Sequence, residues 1–316
     1  MNRDEKIRGS FLGIALGGDN EISPSLCGEA QTALYTATGL IYCYTMAIMR
    51  GFLGDYTECV KNSLSDYSCV LRGGEPEKKH SWLVNIPEMR KGGGEEISAF
   101  SLAAVCGMFF DPEKQYCDSP EEYICVLCAD ISGQKKEKYV GAGFFAALMN
   151  RLIYTDYYGE KTLEDNIERA LKTAEKAFGD IEAFAILKDG IKTVLAQSML
   201  RLMDADALIN VRENEDGLKE LKTALFCALR RQTDIKLAIK TARNCSFEAG
   251  AITGCVFGAL LGEEVFESVI LQKEILLTVA DDLYYTTLQS DYDADFENDD
   301  WAKKYIFVNY KGEKNE

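Results

Sequence analysis

Apolar residues recur at three- and four-residue intervals along most of the chain, the spacing that lines one face of an α-helix. The pattern predicts helices near 4–16, 29–51, 56–70, 95–110, 119–130 and 136–157. Further helices are expected near 163–178, 181–201, 216–231, 234–243, 248–262 and 265–288. The stretch EAQTALYTATGLIYCYTMAIM is apolar on nearly all sides, as a helix through the centre of a bundle must be. TLEDNIERALKTAEKAF opens on a threonine cap and early acids and is two-faced, the mark of a surface helix. RGGEPEKKHSW and RKGGG read as loops. No low-complexity linker or fixed-period repeat divides the chain. One all-α domain over residues 1–288 is expected, followed by an acidic tail over 289–316.

One stretch departs from ordinary helix patterning. NCSFEAGAITGCVFGALLG places Gly250, Gly254, Gly258 and Gly262 at strict intervals of four. Residues four apart share one helix face, and each glycine costs a helix roughly 1 kcal/mol relative to alanine. Close approach of another backbone must offset that cost. The small-xxx-small pattern also occurs in membranes, but this segment is short and runs into Glu263 and Glu264. It reads as the inner helix of a tight soluble bundle.

Charge and cysteine usage narrow the function classes. A formal charge of −16, with no basic patch, disfavours nucleic acid as a partner. The start, MNRDEKIRGS, is too charged for a signal-peptide core. The apolar stretches are broken by charged or Tyr residues before they span a bilayer. Eleven cysteines is an odd count, and Cys43, Cys106, Cys227 and Cys255 sit in apolar helical runs. Buried free thiols in a reducing cytoplasm are the expectation, with no membrane association.

Three local features carry chemistry only weakly. Cys125 and Cys128 form a CxxC with no second pair nearby, so core packing is the expected role. Asp291, Asp293 and Asp295 have calcium-loop spacing, but Phe296 and Ala302 stand where that loop needs Gly and Glu. A solvated connector fits better. YIFVNY beyond it could add a strand or pack back onto the bundle. His80, within EKKHSW, reads as a surface residue, and as the only histidine it makes no metal cluster.

With those residues in hand, the chain resembles the ADP-ribosylglycohydrolase family. GAITGxxxGALLG is similar to the helix after that family's last motif, and DEKIRGSFLGIALGGD to its opening helix. EAQTALYTATGLI resembles the helix after its first motif. LKTALFCALRRQTDIKLAIKTA and LQKEILLTVADDL resemble the helices flanking its last. The resemblance covers about residues 5–288 and rests on apolar and glycine framework. It implies an all-α orthogonal bundle that hydrolyses bonds to ADP-ribose. Two magnesium ions would be held by two aspartate motifs, since that hard cation prefers carboxylate oxygen.

The motif positions differ from that pattern. Thr-Asp-Asp-Thr of the first motif falls on Cys27, Gly28, Glu29 and Ala30, and Asp-Thr-Asp-Thr of the last on Cys245, Ser246, Phe247 and Glu248. The resemblance thus places the former metal positions at Gly28, Glu29, Cys245 and Phe247. Only Glu29 keeps an acid, and the Phe247 ring is expected to occupy the space of a ligand. In GGGEEISAFS, Gly93, Ile97 and Ser98 stand for the family's Asn, Met and Arg, and its histidine is absent from DISGQKKEKYV.

Glu29 and Glu248 each open a helix in register with the two motifs. They admit two readings: a surviving pair that holds one cation, or first-turn acids that complement the helix macrodipole, for about 0.3–1 kcal/mol each. Asp19 and Glu21 would face the same pocket or form an acidic loop; Glu95 and Glu96 read as first-turn acids. The pocket is expected to be bordered by Asp19, Glu29, Gly93, Gly94, Phe247 and Glu248. No cofactor is expected on this reading, and Mg2+ only for a divergent hydrolase. Three functions follow: an inactive relative that binds an ADP-ribose-like nucleotide, a divergent hydrolase, or a protein-binding scaffold.

Overall fold

The computed structural model describes residues 1–18, 26–51, 54–86, 89, 97–114, 119–133, 136–159, 161–200, 204–212, 217–266, 272–288 and 299–306, and for 120, 204–207 and 299 the backbone alone. Helices in the first half are α1 (Arg3–Gly18), α2 (Gly28–Arg50), α3 (Tyr56–Leu71), α4 (Ala99–Phe109), α5 (Pro120–Ser132), α6 (Lys136–Ile153) and α7 (Thr155–Tyr158). The second half contributes α8 (Leu163–Phe178), α9 (Glu182–Met199), α10 (Asp204–Arg212), α11 (Lys219–Arg230) and α12 (Ile235–Arg243). α13 (Phe247–Leu261), α14 (Lys273–Leu288) and α15 (Asp299–Tyr305) complete it. Among the described residues there is no strand, and the all-α expectation holds.

The glycine line of α13 meets a second glycine line. Gly9, Gly13 and Gly17 of α1 are also four apart, and they face Gly258, Gly254 and Gly250 of α13 in antiparallel register. A methyl group on Gly13 would land on the Gly254 carbonyl, and one on Gly17 on the Gly250 carbonyl. The two backbones touch, and dispersion between them replaces side-chain interdigitation. Gly262 is not part of the helical line: it caps α13 with a positive φ of 76°, a conformation open to glycine at little cost.

Around this seam the other helices form shells. α14 packs on α1, and α11 and α12 on α13. α4 is buried along its whole length and lies between α2 and α6. The predicted central helix α2 is buried from Gly28 to Ile41 except at Glu29. α8 packs its Leu163, Ile167, Ala170, Ala174 and Phe178 face inward, with Thr162 capping Asp165 N–H at 3.1 Å.

Several boundaries differ from the pattern. α4 starts at Ala99 because the Ser98 hydroxyl caps it. The run near 136–157 breaks at Tyr154, whose hydroxyl donates to Met108 O at 2.9 Å. α10 and α15 fall in polar stretches without a strong periodic signal. α15 is held to the bundle by Trp301, whose Nε1 donates to Thr45 Oγ1 at 3.2 Å, and by Tyr305, whose hydroxyl donates to Asp282 Oδ2 at 2.8 Å. Tyr305, the first residue of YIFVNY, is helical; positions 307–310 of it lie outside the described residues, as do Asp291, Asp293 and Asp295.

The CxxC thiols of Cys125 and Cys128 are both fully buried, and burial pushes each up from its ordinary value. Packing accounts for them. His80, expected at the surface, is partly exposed there but carries a structural partner. It is half-buried, and its Nδ1 lies 3.1 Å from Oδ1 of the buried Asp66. The other Asp66 oxygen accepts the backbone N–H groups of His80 and Ser81. A buried carboxylate needs such donors, so the loop closes over α3 to supply them.

Candidate functional site

The seam determines what meets at its end. Because α1 and α13 run antiparallel, the C-terminus of α1 lies beside the N-terminus of α13. The next helix, α2, begins against the same point: a methyl on Gly18 would come within 2.8 Å of Cys27 Sγ and 2.9 Å of Glu29 Oε2. The N-terminus of α4 closes the group, with Ser98 N donating to Thr32 Oγ1 at 3.3 Å and Ser98 Oγ to Glu248 Oε1 at 2.8 Å. Three helix N-termini therefore converge on one junction. Each presents unpaired N–H groups and a partial positive charge.

Every one of those termini keeps its cap. Cys27 Sγ accepts from Ala30 N–H at 3.4 Å, Ser98 Oγ from Ser101 N–H at 3.1 Å, and Ser246 Oγ from Ala249 N–H at 3.0 Å. Tyr67 on α3 reaches the junction as well, its hydroxyl donating to Gly28 O at 3.4 Å.

Glu29 and Glu248 are the carboxylates that the junction brings together among the described residues. Both are half-buried. Burial pushes Glu29 up from the ordinary value of 4.5, against hydrogen bonds from its own backbone N–H and the Cys27 thiol. Burial pushes Glu248 up too, opposed by Lys138 and the Ser98 hydroxyl and aided by the charges of Glu220 and Glu29. The charge of Glu29 adds to the rise at Glu248, and for both acids burial is the largest cause.

Lys138, near the start of α6, was not singled out by its sequence context. Its stem packs over Gly217, 3.2 Å from where a methyl there would sit, and its ammonium acts on Glu248. The signal was the lysine-rich entry to α6, QKKEK, read only as a segment lacking histidine.

Phe247 does not fill the space of a ligand. It is the first residue of α13 and 46% exposed. Successive residues on a helix point about 100° apart, so turning Glu248 inward turns Phe247 outward. Gly28 is buried and Cys245 half-buried. Asp19, Glu21, Gly93, Gly94, Glu95 and Glu96 lie outside the described residues. Asp281 pairs with Arg8 at 2.5 Å and Asp282 with Lys304 at 2.9 Å, so they tie α14 to α1 and to α15. Among the described residues no group of three His, Cys, Asp or Glu side chains is arranged to hold a metal ion. Nor is any helix among them long and apolar enough to cross a membrane.

A model of the ADP-ribosylglycohydrolase family matches residues 1–291. The chain belongs to the ADP-ribosylglycohydrolase family. Searches for related curated proteins and for related solved structures return no match. The match ends close to α14 and leaves α15 beyond it. In this ADP-ribosylglycohydrolase relative the junction of α1, α2, α4 and α13 is where both aspartate motifs of the resemblance fall.

Proposed function

We propose that this ADP-ribosylglycohydrolase relative does not hydrolyse through a dinuclear magnesium centre, and that its junction binds an ADP-ribose-like anion without metal. The observation that carries the reading is the donor set. At the four positions matched to metal aspartates stand Gly28, Glu29, Cys245 and Phe247. Glycine offers no donor, phenylalanine an apolar ring, and cysteine a soft sulfur that suits other metals. One carboxylate of four does not offset two divalent cations, so these residues do not fit magnesium.

Positive potential is available without metal. Three helix N-termini and Lys138 face the junction, an arrangement suited to phosphate oxygens. Ser98 and Cys27 would donate to the hydroxyls of a sugar, and Glu29 and Glu248 would accept from them.

Calorimetric titration with ADP-ribose, with and without excess magnesium, tests this. The expected result is binding indifferent to magnesium, with no turnover over a panel of ADP-ribosylated substrates. Binding strengthened by magnesium, or magnesium-dependent hydrolysis abolished by Glu29→Gln, would replace it with the divergent-hydrolase reading. No binding in either condition would remove the nucleotide and leave the strongly negative chain as a scaffold for a protein partner.

A further inference from the structure

Away from the junction, α2 and α3 pack as closely as their side chains allow. Ser63 Oγ donates to Tyr35 O at 2.6 Å and lies 3.3 Å from Thr38 Oγ1. A methyl on Gly39 would come within 2.9 Å of Val60 Cα and 3.1 Å of Cys59 O. Pairing therefore runs antiparallel, from Tyr35 opposite Ser63 to Gly39 opposite Cys59 and Val60. One helical turn beyond Gly39 stands Cys43, and its thiol is hydrogen-bonded to that of Cys59. Gly54, which leads into α3, also packs against Cys43 Sγ, leaving no room for another group between the chain and the thiol.

We infer that Cys43 and Cys59 form a reversible redox pair, oxidised by a hydroperoxide to a disulfide that joins α2 to α3. Accessibility assigns the roles. Cys43 is 1% exposed, whereas Cys59 is half-buried and can be reached. The hydrogen bond from Cys43 also draws the Cys59 thiol below its ordinary value, against burial and the charges of Asp55 and Glu58. The thiolate is the nucleophile.

In the first step the Cys59 sulfur attacks the terminal peroxide oxygen. A sulfur–oxygen bond forms, the oxygen–oxygen bond breaks, and the leaving alkoxide or hydroxide is protonated. In the second, the Cys43 sulfur attacks the Cys59 sulfur. The sulfur–sulfur bond forms, and hydroxide leaves as water with the Cys43 proton. Two thiols lose two electrons and the peroxide gains them. Close contact at Gly39 keeps α2 and α3 together one turn from the thiol pair.

Cys106 and Cys128 supply an internal control. They are also hydrogen-bonding neighbours, but both are fully buried, so proximity alone does not make them reactive in the folded protein.

Peptide mapping decides the matter. Trypsin releases Cys59 in the peptide 51–61 and Cys43, with Cys27, in the peptide 9–50. Hydrogen peroxide on the folded protein should link 51–61 to 9–50 with loss of two hydrogens, and a thiol reductant should reverse it. Cys27→Ser should leave the link intact. Cys43→Ser should abolish it and leave Cys59 as a sulfenic acid that dimedone captures. Cys106 and Cys128 themselves should stay reduced, and the far-ultraviolet circular dichroism unchanged. A link that survives Cys43→Ser, a Cys59 that stays a thiol, or one that overoxidises without linking in the helical protein would each overturn the inference.

Discussion

The middle of the α1–α13 seam and its open end belong to the same two helices, yet they are governed by different constraints. In the middle, Gly13 and Gly254 are determined by sterics, because an added methyl on either would overlap the other's backbone. At the end, Glu29, Phe247 and Glu248 are half-buried or exposed, and Cys27, Ser98 and Ser246 cap the helices. Sterics thus fix the residues of the seam, and no such backbone contact fixes Glu29, Phe247 and Glu248 at its end. The framework and the chemistry are separable because different forces hold them.

The largest test of that contrast is Gly254→Val. Overpacking a core by a methylene typically costs about 1–3 kcal/mol, and here a three-carbon isopropyl group meets backbone, so a loss of more than about 3 kcal/mol is expected. Urea unfolding followed by circular dichroism would read it. The gentler Gly254→Ala sharpens the point: on an open helix it would gain about 1 kcal/mol, and here it should lose stability. A midpoint that rises would mean that the helices do not touch at Gly13.

Next in size is Ser246→Ala at the open end. Removing a helix cap costs about 1 kcal/mol, and the same unfolding measurement should show that loss at any pH. If Ser246→Ala proved neutral, the caps would have no more folding duty than their neighbours.

Smaller, and dependent on pH, is the effect of Glu29→Gln and Glu248→Gln. Burial raises both carboxylates above 4.5 in the folded protein, so the native state binds more protons than the unfolded chain as pH rises past that value. Their contribution to stability is fully present below about 4.5 and is lost as pH climbs through the raised folded value. Each glutamine, which still accepts from Ser98 or its own backbone, should raise stability at pH 7 and flatten its decline above pH 5. A steeper decline would mean that both acids are held as anions, as a resident cation would hold them.

Smallest of all is Phe247→Ser. An exposed side chain that neither caps a helix nor packs in the core changes stability within about 0.5 kcal/mol, so the unfolding midpoint should hardly move. A loss of several kcal/mol would return Phe247 to the interior and blur the boundary between seam and open end.

Much of this was legible beforehand. Three-and-four periodicity located α1, α2, α3, α8 and α13 within a few residues, because an amphipathic or wholly apolar helix writes its burial into its spacing. The four-residue glycine line announced a backbone contact. Its partner was in plain view as Gly9, Gly13 and Gly17, but a single helix pattern does not say which other helix it faces. α15 was missed because seven residues carry too few turns for a period, and its place rests on Trp301 and Tyr305 reaching Thr45 and Asp282. The partner of His80 was missed because Asp66 lies across a loop.

By itself, then, the sequence determined an all-α chain with a glycine-lined inner helix and two acids at helix starts. These are properties of spacing and of residue type, which act over a few residues. Tertiary structure alone decided that α1 supplies the opposing glycines, that Ser98 and Lys138 act on Glu248, that Phe247 turns outward, and that Cys43 meets Cys59. Those facts depend on where separate helices come to lie, and packing in three dimensions sets that, with no local spacing to record it.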